Sequence, residues 1–312
     1  MEDRMSRFDR QSFLGPDSES KLHGATIGLV GLGGGGSHIV QQSGHLGIGG
    51  YVVIDPDHIT DTNTNRLIGG TLADIVPATA KVAIAERQIR GLVEIPRIIT
   101  VRDTWHTAID DLKRCDIIIG AVDSFIQREQ LERFARRHLI PYIDIGMDVH
   151  DLGKGQYLIG GQVILSMPGK PCLRCCGLVT DERLTQEAGK YGAAGSRPQV
   201  VWSNGVLAST AVGLVTQLLT PWFKGIPGFV YLDYDGNRGT LTPNDRMGLF
   251  QNKVCSHHPP DETGDPLFDV RVFDRLRADM ALAKLKASSK PAPVSERQTL
   301  WLSISKIFGR KR

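Results

Sequence analysis

The stretch Thr26–Val40, TIGLVGLGGGGSHIV, decides how the chain is read. Five mostly apolar residues run into Gly31-x-Gly33-x-x-Gly36, and a helical pattern follows over Ser37–Leu46. A strand, a glycine turn and a helix in that order bring backbone N–H groups close to a phosphate at a helix N-terminus, where the dipole favours negative charge. The alternative at this point is a glycine-rich turn with no ligand. Outward from it, short segments rich in Val and Ile recur at Tyr51–Ile54, Arg97–Val101, Asp116–Ala121 and Pro141–Ile145, with helical patterns at Ala80–Arg90 and Phe125–His138. This alternation predicts βαβ units, and so an α/β, Rossmann-like, doubly wound and mostly parallel sheet.

Past about residue 146 the pattern changes to the hairpin-like GQYLIGGQVILS at 155–166, a cysteine cluster and a polar loop around 177–200. A helix near 205–219 and paired strands at 228–242 come next, so antiparallel strands are expected to continue the sheet. The expected organisation is one domain over 1–260, with a nucleotide-binding half to about 146 and a second half over 147–260. An extension over 261–312 follows, with a flexible linker, SSKPAPVSER, at 288–297. The end of the chain has apolar residues near a helical period and four basic residues among its last seven. That tail could contact an anionic membrane or a partner protein, or be a disordered solubilising segment.

Lys and Arg number 37 against 34 Asp and Glu, a net charge of +3 over 312 residues, and no interior basic run carries interleaved aromatics. A nucleic-acid partner is therefore not expected. MEDRMSRFDRQ at the start has both signs of charge and no apolar core, so the expectation is a cytoplasmic protein. The uncharged stretch Pro198–Phe223 is broken by Asn204, Gln217 and Pro221 and reads as a buried helix, not a membrane span. Three of the five cysteines, Cys172, Cys175 and Cys176, sit together, a spacing that suggests metal or thiol chemistry before disulfides.

Asp55 ends the second strand segment, 19 residues after Gly36, where a carboxylate can accept from ribose hydroxyls. To this point NAD and ATP fit equally. Asp57, Asn63, Arg66 and Lys81 follow closely, and Asp123 with Arg128 closes a later strand as AVDSFIQR. Singly, each cation reads as a surface charge. Jointly they suit a triphosphate, which needs several cations and a carboxylate for Mg²⁺, better than an uncharged nicotinamide.

The arrangement resembles the ThiF/MoeB/HesA superfamily of adenylating enzymes related to ubiquitin-activating enzymes. The matching pieces are RFDRQ at 7–11, GLGGGGSH at 31–38, DPDHITDTNTNR at 55–66, Lys81 in ATAKVAIAE, AVDSFIQR at 121–128 and PGKPCLRC at 168–175. The resemblance implies ATP-dependent adenylation of the C-terminal carboxylate of a ubiquitin-like or sulfur-carrier protein. It implies that Gly31, Gly33 and Gly36 cradle phosphate, that Asp55 holds the ribose, that Asn63, Arg66 and Lys81 lie around the phosphates, and that Asp57 belongs to the same nucleotide site. Asp123 would hold Mg²⁺, and Arg128 would belong to the same site. Arg10 would reach the nucleotide of a second protomer, implying a homodimer or a pseudo-symmetric heterodimer. Two alternatives remain: a non-catalytic partner subunit, and an NAD-dependent oxidoreductase.

Family members often carry a structural zinc on two C-x-x-C pairs. Cys172 and Cys175 match the first pair, and Cys255-Ser256-His257-His258 stands where the second falls, which makes Cys172, Cys175, Cys255 and His258 the implied Zn²⁺ ligands. Buried free cysteines are the alternative. The crossover loop after the first pair, where the resemblance places a thioester-forming cysteine, contains none. Cys176 is left as the candidate thiol, or as a packed one. Arg183 and Arg197 are the loop arginines available to guide a substrate tail.

Overall fold

The strands, in chain order, are β1 (Thr26–Val30), β2 (Gly50–Ile54), β3 (Arg97–Val101), β4 (Ile117–Gly120), β5 (Tyr142–Gly153), β6 (Gln156–Ser166), β7 (Val230–Asp235) and β8 (Thr240–Pro243). In the computed structural model they form one eight-stranded sheet, ordered β3-β2-β1-β4-β5-β6-β7-β8. Pairing is parallel from β3 to β5 and antiparallel from β5 to β8. The described residues are 7–189, 198–225, 228–250, 255–258, 263–265 and 268–272, with single positions as far as 283. Arg197, the expected linker and the basic tail lie outside them.

The parallel half is the expected doubly wound sheet, and its burial explains its composition. β2 and β4 are buried at every position, since helices cover both faces; such strands read as unbroken apolar runs. On one face Ile27, Leu29, Val53, Ile117, Ile119 and Ile143 pack against Ile39 and Val40 of α2 (Gly34–Leu46) and Leu207, Ala211 and Val215 of α7 (Val201–Leu219). α7 is thus the buried helix expected from the uncharged stretch. Among the described residues no helix is long and apolar enough to cross a membrane.

α2 begins three residues before its expected start, because the glycines themselves form its first turn. A Cβ at Gly36 would lie 1.9 Å from the carbonyl oxygen of Gly31, and one at Gly34 would lie 2.5 Å from the Asn204 amide. Close packing of the helix on the turn and on α7 requires glycine at both. Gly31 has φ +92°, a conformation that other residues adopt only with strain.

The remaining helices are α1 (Ser18–Gly24), α3 (Lys81–Leu92), α4 (Ile109–Leu112), α5 (Phe125–Arg137), α6 (Asp181–Gly189) and α8 (Arg246–Phe250). α6 occupies part of the segment expected to be a polar loop. Its first turn holds Asp181 and Glu182, which favour a helix N-terminus. Glu187 accepts from the N–H groups of Phe125 (2.8 Å) and Ile126 (3.3 Å), and the Arg183 guanidinium lies over the Phe125 ring, so α6 is fastened to the start of α5.

The chain divides into two compact units, Met1–Phe268 and Asp269–Arg312. All the residues discussed below belong to the first. In the second, Asp269 accepts from the Arg271 guanidinium.

Candidate functional site

From β1 the chain winds to β2 and β3 on one side of the sheet, and from β4 to β5 on the other, so the order reverses between β1 and β4. Ligands of such sheets bind in the crevice outside the C-terminal ends of the strands at that switch point. A cleft with about 360 Å³ of internal volume lies there, large enough for a small ligand. Gly31, Gly33, Asp55, Asp57, Asn63, Arg66, Lys81, Asp123 and Arg128 all line it. No atom lies within 4 Å of where a Gly33 Cβ would stand. Gly36 contributes by packing instead.

Asp55 directly follows β2 and is 5% exposed. One of its oxygens accepts from the Leu32 N–H of the glycine turn (2.7 Å) and the other from the Asp57 N–H (2.9 Å). Lys81, the first residue of α3, lies 3.3 Å from Asp55 and 2.7 Å from Asp57 through its Nζ. Turn and helix start are therefore both fastened to the strand end through the Asp55 carboxylate. Asn63 Oδ1 closes its own turn by accepting from the Thr60 N–H, and the Arg66 guanidinium donates to Thr62 O at 2.8 Å. Asp123, just beyond β4, is exposed, and among the described residues its partner is the Gln199 amide at 3.5 Å. That carboxylate stands open at the wall of the cleft, the hard-oxygen donor that Mg²⁺ shares with phosphates.

Several lining residues escaped the sequence reading. Asp103, Thr104 and Trp105 follow β3, and the strand-end rule would have found them. Gln199, Asn204 and Leu207 come from α7 and the approach to it, which no local signal links to a nucleotide turn. Arg128 is paired with Asp144, a β5 residue that is fully buried. Burial pushes the Asp144 carboxyl up, while Arg128 opposes the shift.

Arg10 lies in a short helical stretch, Asp9–Leu14, where it is exposed and outside the lining of this cleft. Cys176 is 2% exposed, and burial pushes its thiol up. Cys115 is likewise buried, its thiol pushed to about 12 by desolvation and then by Asp116 and Asp111. Neither environment favours a thiolate nucleophile.

A second cluster lies apart from the cleft. The sulfurs of Cys172 and Cys175 are 3.7 Å apart, as are those of Cys175 and Cys255, and His257 Nδ1 lies 3.5 Å from Cys172 and 3.4 Å from Cys175. Ligands of a tetrahedral zinc with arms of about 2.3 Å are separated by about 3.8 Å, so the spacing fits that ion. His257, next to the expected His258, is the histidine that meets the three sulfurs, while His258 forms a second possible ligand group with Cys172 and Glu132. The turn at 255–258 aims His257 at the sulfurs, whereas His258 is buried with its Nε2 3.9 Å from Glu132, its pKa lowered to about 3 by burial and then by Arg136. Spacing alone did not separate two adjacent histidines.

The model of the ThiF family matches residues 8–254. The chain belongs to the ThiF family. Among its relatives, the sulfur carrier protein adenylyltransferase of Thermus thermophilus is 27% identical over 287 residues, covering 88% of this chain and 98% of that protein. The SAMP-activating enzyme E1 of Haloferax volcanii is 27% identical over 178 residues, covering 55% of this chain and 61% of that enzyme. Among solved structures, Escherichia coli MccB with MccA-N7isoASN superposes with a TM-score of 0.64 at 18% identity, covering 78% of this chain and 72% of MccB. At that identity the likeness concerns the fold alone.

Proposed function

We propose that this ThiF-family chain uses ATP to adenylate the C-terminal carboxylate of a ubiquitin-like or sulfur-carrier protein, releasing pyrophosphate. The observation that carries the proposal is the cleft, whose lining gathers Lys81, Arg66, Asn63 and the open carboxylate of Asp123 with Gly31 and Gly33 of the glycine turn. The Thermus thermophilus relative, matched over 88% of this chain, supports the same reading.

A carboxylate oxygen attacks the α-phosphorus of ATP, and the bond to the bridging oxygen of pyrophosphate breaks. No proton has to be removed, so no general base is needed. Asp55, already fixed by the turn, orients the ribose, and backbone N–H groups at the start of α2 face the phosphates. Arg66 and Lys81 stabilise the charge that grows on the phosphate oxygens, so positioning and electrostatics supply most of the rate. Mg²⁺ on Asp123 would neutralise phosphate charge, and Zn²⁺ on Cys172, Cys175, Cys255 and His257 would tie residue 255 to the segment after β6. An exposed Arg10 is available to a second protomer's cleft, which suits a homodimer, and the reading places the enzyme in the cytoplasm. Retention of Asp55, Arg66, Lys81 and Asp123 in one cleft disfavours a non-catalytic subunit, and their charge disfavours a nicotinamide site.

ATP–pyrophosphate exchange against a panel of carrier proteins tests this. Asp123→Ala should abolish exchange while leaving the melting temperature unchanged; exchange at the wild-type rate would remove Asp123 from the site.

A further inference from the structure

We infer that Arg128, held from behind by the buried carboxylate of Asp144, is the group that receives the terminal carboxylate of the substrate, with Asp144 as its positioning residue. The inference rests on the adenylation reading and adds to it the residue that recognises the acyl substrate.

Two sets of cations face the cleft. Lys81 is spent on Asp55 and Asp57, close to the glycine turn, and Arg66 is on that same side. Arg128 stands on the opposite side, where the sheet turns from parallel to antiparallel pairing. It projects from α5 and is only 5% exposed. Its Nη1 donates to Asp144, and among the described residues Nε is sealed with no hydrogen-bond partner. A Cβ at Gly146 would lie 2.5 Å from Arg128 Nη2 and 2.7 Å from the Gln162 amide, so the missing side chain makes room for the guanidinium beside the β5 backbone.

Asp144 is itself held on several sides. Tyr142 Oη donates to it at 3.1 Å, and Gln162 Nε2 is 3.4 Å away. Burying a charged pair this completely is expensive, and replacing it with apolar residues is often neutral or stabilising. A pair that instead presents one unused edge of a guanidinium to a cleft has a use for the cost. Guanidinium binds carboxylate through paired, charge-assisted hydrogen bonds with fixed geometry. Here Asp144 takes Nη1 and Nε is sealed, which leaves Nη2 beside Gly146 as the donor to one oxygen of an incoming carboxylate while the guanidinium charge faces it. Phosphate chemistry would suit a guanidinium equally, and sheet order decides between the two: Lys81 is paired with Asp55 beyond the end of β2, whereas Arg128 is paired with Asp144 on β5, three strands further along the sheet.

The test uses the full chain, loaded with ATP and Mg²⁺, and tetra-alanine with either a free C-terminal carboxylate or a C-terminal amide as probe. Binding is followed through the Arg128 Nε–H resonance, assigned by its loss in Arg128→Lys. The free acid should shift that resonance and bind at least about tenfold more tightly than the amide. Asp144→Asn should weaken the free acid several-fold while leaving ATP affinity close to wild type, at a melting temperature lowered by the loss of one partner of a buried ion pair. Equal binding of acid and amide, no binding of the acid, or an Arg128 resonance that moves with ATP and not with the peptide would each overturn the inference. If Asp144→Asn unfolds, Arg128→Lys, which keeps the charge and loses the fork, must show the same loss of discrimination between acid and amide. Failure of ATP–Mg²⁺ to raise the melting temperature of the wild type would instead count against the adenylation reading.

Discussion

Adding one methyl group at Gly36 and one at Gly33 separates what the glycine turn does for the fold from what it does for the ligand. At Gly36 the new carbon would lie 1.9 Å from the Gly31 carbonyl oxygen, where ordinary contact begins near 3.4 Å. The neighbour is backbone, tied into the sheet by Gly31 N–H donating to Ile54 O at 2.9 Å, and cannot rotate away. Overpacking of this kind costs about 3 kcal/mol, at the upper end of the usual range. Alanine's better helix propensity returns about 1 kcal/mol, leaving Gly36→Ala destabilised by about 2 kcal/mol and its melting temperature lower by roughly 4–8 °C. At Gly33 the methyl meets nothing within 4 Å, so Gly33→Ala should melt with the wild type. Its methyl enters the cleft, however, and should remove most of the stabilisation by ATP–Mg²⁺, which for a ligand at a hundred times its dissociation constant is about 2.7 kcal/mol. Thermal melts with and without ATP–Mg²⁺ read both effects. A Gly36→Ala variant as stable as wild type, or a Gly33→Ala variant with an undiminished ATP shift, would refute this account of the turn.

Three further outcomes are expected. Metal analysis of the purified chain should give close to one zinc per chain, with most of it lost in His257→Ala and retained in His258→Ala; the reverse order would restore the ligand set expected from sequence. Asp74 is bound through both oxygens by Arg87 at 2.8 Å and also by Thr71, which holds its carboxyl well below the usual range. A depressed folded-state pKa contributes stability above the unfolded value of about 3.9 and loses it as pH falls below that. The difference in melting temperature between wild type and Asp74→Asn should accordingly be constant near neutral pH and shrink below about pH 4; a difference that grows on acidification would contradict the assignment. Glu187→Ala removes the acceptor from two N–H groups at the start of α5 and should cost about 1 kcal/mol, seen as faster hydrogen exchange at Phe125 and Ile126. Unchanged exchange there would mean that α6 is not fastened through Glu187.

The parallel half of the fold was legible because β1, β2 and β4 are buried nearly throughout and read as apolar runs, so composition and periodicity agree. The nucleotide side of the site was legible for the same reason: Gly31, Asp55 and Asp123 each fall at or just after a strand's C-terminal end, where the topology gathers them. What the sequence hid depends on distant contacts. α6 was read as loop because few of its residues are apolar; its place depends on Glu187 and Arg183 meeting α5. α5 carries Arg128, Glu129, Glu132, Arg133 and Arg136, all buried, and such charges are invisible as core until their partners on other elements are known. Asp144 sat inside an apolar strand segment, its pairing with Arg128 set by packing across the sheet. The choice between His257 and His258 turned on the local path of one short turn.

The central claim is that a carboxylate oxygen of the substrate attacks the α-phosphorus of ATP. Supplying a carrier protein whose terminal carboxylate is labelled with heavy oxygen, and trapping the product with an amine, tests it directly. The account predicts AMP carrying one labelled oxygen together with unlabelled pyrophosphate, since the bridging oxygen leaves with AMP when the acyl carbon is attacked. Unlabelled AMP, or ADP with phosphate, would contradict it.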